Sequence, residues 1–145
     1  FAMNPDGFDL HQRENANQVD LNRNFPDPVK RQGDLSRTGR EEKETVALMD
    51  FVALLGNSLV GATTLHEGAL VNIVPFDGNR HGTPRKEAHP APDEKLLNYL
   101  ARRFVDEQPA MANNPEFPGG VKQGSDWYPL YGGIQDYAYL LHSVY

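Results

Sequence analysis

The densest run of chemically capable residues is Asp20-Leu-Asn-Arg-Asn-Phe-Pro-Asp27. Adjacent Asn22 and Arg23 offer amide donors and a planar guanidinium fork, a pairing suited to a bidentate grip on a carboxylate or phosphate. The same composition also reads as an Asn-rich turn with a surface arginine. Arg13 lies upstream, and a second guanidinium near the first would complete an anion clamp. His66 ends an apolar stretch and precedes Glu67-Gly68. An imidazole there can enter a cleft and bind metal, or serve as a hydrogen-bonded structural histidine. Asp77 follows the apolar run from Leu70 to Pro75. It reads either as a buried acid that selects a cationic group or as a turn residue before Gly78. Trp127-Tyr128-Pro-Leu-Tyr131-Gly-Gly133 sets aromatics beside a double glycine, as a mobile flap or as ordinary loop packing. His11-Gln-Arg-Glu14 has the H-x-x-E spacing of a zinc pair, but it sits in an Asn-rich loop without a regular framework.

Several chemistries lack their signatures. There is no G-x-x-x-x-G-K-[ST], no G-x-G-x-x-G and no G-x-S-x-G, so phosphate cradles and hydrolase-type serine nucleophiles have no candidate. Cysteine is absent, which excludes disulfides, thiolate metal sites and thiol nucleophiles. The formal net charge of −6 over 145 residues disfavours a nucleic-acid partner, whose phosphates demand a basic surface. No apolar run approaches the ~20 residues that span a membrane. With 39% hydrophobic and 23% charged residues, the chain has the composition of one globular domain.

The elements that must position these residues follow from periodicity. The stretch from Phe1 to Asp34 reads as loops with one short strand. Val46, Leu48, Met49, Val52 and Leu55 recur at helical spacing between Gly39 and Gly56, predicting a helix over 41–55. Ser58–Leu65 and Ala69–Pro75 are short and rich in β-branched residues, predicting strands. A polar, proline-rich loop follows over 77–92. Leu96, Leu97, Leu100, Phe104 and Val105 form a stripe on a predicted helix over 93–107, with acids at its start and Pro109 at its end. A long loop is expected over 113–133, then a final strand over 135–145. Helices alternating with strands predict an α/β fold with the site on loops at a sheet edge.

Several segments together resemble one family. Met3-Asn-Pro-Asp-Gly-Phe8, Asp20 to Asp27, Leu65-His-Glu-Gly-Ala-Leu70, Pro75-Phe-Asp77, Phe117-Pro-Gly-Gly120, and Trp127-Tyr128 with Gly132-Gly-Ile-Gln-Asp136 occur in that order. The pattern resembles the zinc metallocarboxypeptidases, in the branch that includes carboxypeptidases N, E, D and M, and covers almost the whole chain. Glu44-Thr45 also matches the family's Pro-Glu-Thr helix, with Lys43 in place of the proline.

The resemblance implies roles. His66 would be one zinc ligand of three protein ligands. Arg13 would polarise the scissile carbonyl and stabilise its oxyanion. Asn22 and Arg23 would hold the free carboxylate of a peptide or protein C-terminus, and Tyr128 would close over the substrate. Asp77 and Gln135 would line a pocket for C-terminal Lys or Arg. The implied fold is α/β, a mixed sheet with helices on both faces. The implied setting is the secretory pathway or the extracellular space.

Departures from the family bear on activity. Its H-x-x-E zinc pair lies upstream of the Asn-Pro-Asp-Gly segment, and its general-base glutamate lies beyond Tyr145. Residues 1–145 are therefore expected to be the central and C-terminal part of one catalytic domain, truncated at both ends and inactive alone. Glu67 replaces the family's usual glycine beside the metal. One rival is a non-catalytic relative that binds peptide C-termini through Arg13, Asn22, Arg23 and Asp77. Another is a deacylase on the same fold, which would not need Asn22, Arg23 and Asp77 together.

Overall fold

The computed structural model describes residues 2–145. They form two compact units, one comprising the chain up to Ala62 together with Tyr131–Tyr145, the other Thr63–Leu130.

The first unit is built on two helices, α2 (Lys43–Leu55) and α6 (Ile134–His142), which pack together. In α2 the buried positions Thr45, Met49 and Val52 fall on one face, and the helix closes at Gly56 with φ +49°, a positive φ that glycine adopts readily. In α6 the buried Ile134, Tyr137 and Ala138 recur at i, i+3 and i+4. With Phe25 and Val144 these side chains form the core, and Phe25 meets Tyr137 at a ring separation of 5.5 Å. Burial of each such side chain stabilises by roughly 1.5–3 kcal/mol. The Asn-rich leader contains no strand among its described residues. It forms the short helix α1 (Pro5–Leu10), which Asn4 caps by accepting from the Gly7 N–H at 2.9 Å, and a single 3-10 turn over Leu21–Arg23.

The second unit holds β1 (Asn72–Val74), α3 (Glu94–Asp106), α4 (Pro109–Ala112), β2 (Val121–Gln123) and α5 (Gly124–Trp127). Strands β1 and β2 are parallel, with Asn72 opposite Val121 and Val74 opposite Gln123. Parallel neighbours require a long crossover, and α3 supplies it while packing on both strands. Its buried face is Leu97, Ala101 and Val105, and Leu96, Leu100 and Phe104 stay partly exposed. Gly120 precedes β2 at φ +66°, where a Cβ would lie 2.5 Å from Val105 Cγ1 and 2.9 Å from the Met111 carbonyl oxygen.

The α/β class holds. In place of the expected mixed sheet with helices on both faces, the described residues form one two-stranded parallel sheet. Residues 58–65 are not a strand. The Tyr145 N–H donates to the Val60 carbonyl and the Ala62 N–H to the Tyr145 carbonyl, without forming a strand. A strand exists only as a pair, and β-branched composition supplies no partner. Residues 135–145 are largely helix because their apolar positions fit one helical face against α2. The expected 113–133 loop contains β2 and α5.

Phe25→Ala should lower stability by about 3–5 kcal/mol, the usual loss for a buried aromatic. Leu54→Ala, at a position 83% exposed, should change it by less than ~0.5 kcal/mol. Urea unfolding of the two variants against the parent chain checks both, and equal midpoints would contradict this core assignment.

Candidate functional site

In the first unit, the Asp20 carboxylate organises the basic residues. Its Oδ1 accepts from the Asn22 backbone N–H at 3.0 Å and so caps the 3-10 turn. Its Oδ2 pairs with Arg13 Nε at 2.7 Å and lies 3.8 Å from Arg23 Nη1. Arg23 also donates to the Asn22 carbonyl at 2.8 Å. The two arginine side chains remain 38% and 34% exposed. Asn22 Oδ1 accepts from the Ile134 backbone N–H at 3.0 Å. Gln135, the next residue, is half-buried near the start of α6.

The loop that carries Arg13 is anchored to the start of α2. Asn15, almost fully buried, donates from Nδ2 to Glu42 Oε2 at 3.0 Å and Glu44 Oε1 at 3.2 Å. Its Oδ1 accepts the backbone N–H groups of Asn17 and Val19. Asn17 Nδ2 donates to Glu42 Oε2 at 2.6 Å, and Asn24 Oδ1 accepts the Glu42 N–H at 2.6 Å. The amides of Asn17 and then Asn15 hold the Glu42 carboxyl below its ordinary value.

The second unit holds the other predicted residues. Asp77 is buried, and a Cβ on Gly124 would come within 2.1 Å of its Oδ1, so the carboxylate lies against the first residue of α5. Tyr128 follows α5, its N–H donating to the Gly124 carbonyl at 3.1 Å. The structure thus brings Asp77 and Tyr128 to the two ends of one short helix. The Tyr128 ring is 40% exposed and stands edge-on to Trp127 at 4.7 Å. Gln123 supports this corner by donating to the His89 carbonyl at 3.2 Å and accepting from the Ser125 hydroxyl at 3.0 Å.

His66 lies in an exposed irregular segment, with Nδ1 2.7 Å from the Glu67 carbonyl oxygen. A proton on Nδ1 satisfies that contact and leaves the Nε2 lone pair for a metal, the usual arrangement for a ligating histidine. Among the described residues, however, no group of three or more His, Asp or Glu comes together to hold a metal ion. These residues do not fit a complete zinc site. His11 and Glu14 join no such group.

Sequence reasoning missed Asp20 and Asn15 as organisers. The Asp20 signal was present in an Asp placed just before a short turn, where such residues cap free N–H groups. Asn15 binds residues 27 and 29 positions away, which no local pattern reveals.

A family model described as zinc carboxypeptidase matches residues 1–145. The chain is 38% identical to carboxypeptidase SOL1 of Arabidopsis thaliana over 139 residues, covering 96% of this chain and 27% of that protein. It is 36% identical to carboxypeptidase M of Mus musculus, over 96% of this chain and 33% of the relative. It is 31% identical to carboxypeptidase D of Drosophila melanogaster, over 99% of this chain and 11% of the relative. The chain belongs to the zinc carboxypeptidase family of metalloproteases. It spans about a third or less of the length of these curated relatives.

The Glu42 network has a pH signature. A depressed carboxyl pKa contributes stability that is fully present above the unfolded value and is lost as pH falls through the lowered one. Asn17→Ala should raise the Glu42 titration toward the ordinary carboxylate range, read by carboxyl-carbon NMR. An unmoved midpoint would show that the Asn17 amide is not the main cause.

Proposed function

We propose that this chain carries the substrate-recognition part of an enzyme that hydrolyses C-terminal residues from peptides or proteins. The observation that carries the reading is the assembly of Arg13, Asn22 and Arg23 around Asp20, the cap of one short turn, in a member of the zinc carboxypeptidase family. Asn22 and Arg23 take the terminal carboxylate. A guanidinium fork matches a carboxylate in charge and geometry, which explains why only a free chain end would be accepted. Arg13 faces the scissile carbonyl and stabilises negative charge developing on its oxygen. Tyr128 covers the bound residue.

Asp77 and Gln135 set a preference for C-terminal Lys or Arg. The burial of Asp77 supports this reading, because a dehydrated carboxylate attracts a cation more strongly than a solvated one. His66 would offer Nε2 as one ligand of a zinc site that the described residues do not complete. The domain assignment, 1–145 as the central and C-terminal part of one catalytic domain, and a secretory or extracellular setting both rest on the family resemblance.

The test compares binding of a peptide ending in free arginine with binding of its C-terminal amide, by calorimetry. The free acid should bind at least tenfold tighter, and Arg23→Ala should remove that margin, since a charge-assisted hydrogen bond contributes about 1.5–3 kcal/mol. With zinc added, this chain alone should release no amino acid. Equal binding of acid and amide would overturn the reading.

Asp77→Lys should reduce the preference for Arg-terminated over Phe-terminated peptides by about two orders of magnitude, as expected when one partner of a buried charged pair is lost. Competition binding measures it. An equal loss for both peptides would instead make Asp77 a structural support of α5.

A further inference from the structure

We propose that Asp27 and Gly132 are positioning residues that fix which end of the Asn22 amide faces an incoming carboxylate. The inference rests on the reading of Asn22 and Arg23 as a carboxylate grip and deepens it.

A primary amide has a donor end and an acceptor end of nearly equal shape. An anion is attracted by the Nδ2 hydrogens and repelled by Oδ1, so a freely rotating asparagine is a poor grip. Here the Ile134 backbone N–H lies 3.0 Å from the Asn22 side chain. A backbone N–H can only donate, so the atom facing it must be the acceptor, Oδ1. The Nδ2 hydrogens are then directed away from α6. Ile134 is the first residue of that helix, and its N–H has no partner within the helix. The contact therefore satisfies an orphan donor while fixing the amide.

The contact holds only if the turn before α6 is held in place, and two residues do this. Asp27 is buried, its Oδ2 accepting the Gly132 N–H at 2.9 Å and its Oδ1 the Lys30 N–H at 2.7 Å. The Gly132 carbonyl accepts the Phe25 N–H at 3.0 Å. Gly132 has φ +76°, and a Cβ there would lie 2.5 Å from the Arg23 carbonyl oxygen and 3.0 Å from that of Phe25. The backbone of residue 132 thus rests directly on the backbone that carries Asn22 and Arg23, an approach that only glycine permits. Lys30 Nζ lies 4.6 Å from the centre of the adjacent Tyr131 ring, a second tie on the same turn. Three hydrogen bonds, at Gly132 N–H, Gly132 carbonyl and Ile134 N–H, lock the turn to the grip. Gln135 is the next residue along, so its backbone position is set by the same lock.

The experiment uses the 145-residue chain, proton–nitrogen NMR, and two probes, N-acetyl-arginine and N-acetyl-arginine amide. Asn22→Ala should move the Ile134 amide proton upfield, and Asn22→Asp, which keeps an acceptor there, should not. Both should lose the preference for acid over amide. Asp27→Asn should cut acid binding about tenfold, the loss of roughly one net hydrogen bond, should shift Ile134 upfield and should leave amide binding unchanged. A merely structural role would weaken both probes equally. An Ile134 resonance unmoved in Asn22→Ala overturns the inference, as does an unchanged acid preference in a folded Asp27→Asn chain. If Asp27→Asn fails to fold, the two Asn22 variants decide alone. Acid preference that survives Arg23→Ala would instead sink the carboxylate-grip reading itself.

Discussion

Two guanidinium groups that reach the same short turn repel each other, and the first unit resolves this with one carboxylate. Asp20 meets Arg13 and Arg23 through the same oxygen and caps the turn through the other. Because the pair is partly exposed, it contributes little to global stability. Its importance is geometric. Without it the arginines would spread into solvent and the turn would lose its cap, so charge and conformation would fail together. With it, both guanidinium groups are held beside one turn. The Asn15 and Asn17 amides perform a related task one layer back. They hold Glu42 in its charged form and anchor to α2 the loop that carries Arg13.

Helices α2 and α3 were legible because each buries one face, and a face leaves a period in the sequence. Asn22 and Arg23 were legible as residue types, and their neighbours in sequence turned out to be their neighbours in space. The failures share a cause. The stretches 58–65 and 135–145 carry apolar and β-branched residues, but composition does not specify a pairing partner. Residues 135–145 became mainly helix because Ile134, Tyr137 and Ala138 meet α2. Residues 58–65 remain irregular. The locks on the grip were not legible either. Gly132 meets Asp27 across 105 positions, and Ile134 meets Asn22 across 112. The double glycine at 132–133 was visible, but neither a mobile flap nor ordinary loop packing hinted that residue 132 is pressed against the backbone of residue 23.

The second unit shows how a site is kept in place with little regular structure. Its strands are three residues each, so few backbone groups are satisfied by a ladder. Side-chain amides take over that work, as buried backbone groups require. Asn79, fully buried, donates to the carbonyls of Thr83 and Arg85 and accepts the N–H groups of His81 and Thr83. Gln123 joins the end of β2 to the His89 carbonyl and caps α5 by accepting the Asp126 N–H. Asp77 and Tyr128 flank α5, so their separation depends on these two amides rather than on a broad sheet. In this unit loop order is a consequence of side-chain chemistry, which is why its asparagine and glutamine content carries more structural information than its hydrophobic pattern.

The hydrogen bonds around the proposed carboxylate grip run among residues of the first unit, from Asp20 and Asn22 to Asp27, Gly132 and Ile134. None of them involves His66. If this cluster takes a chain end as proposed, that recognition would need no bound metal, and its contacts would orient the neighbouring bond. This separation gives the two rival readings of the chain a common physical base. A binding module needs only the grip. An enzyme needs the same grip together with a complete set of metal ligands and a base. Under the proposed reading, the side chains around Asp20 would serve either role without change, and only a metal site would separate the two.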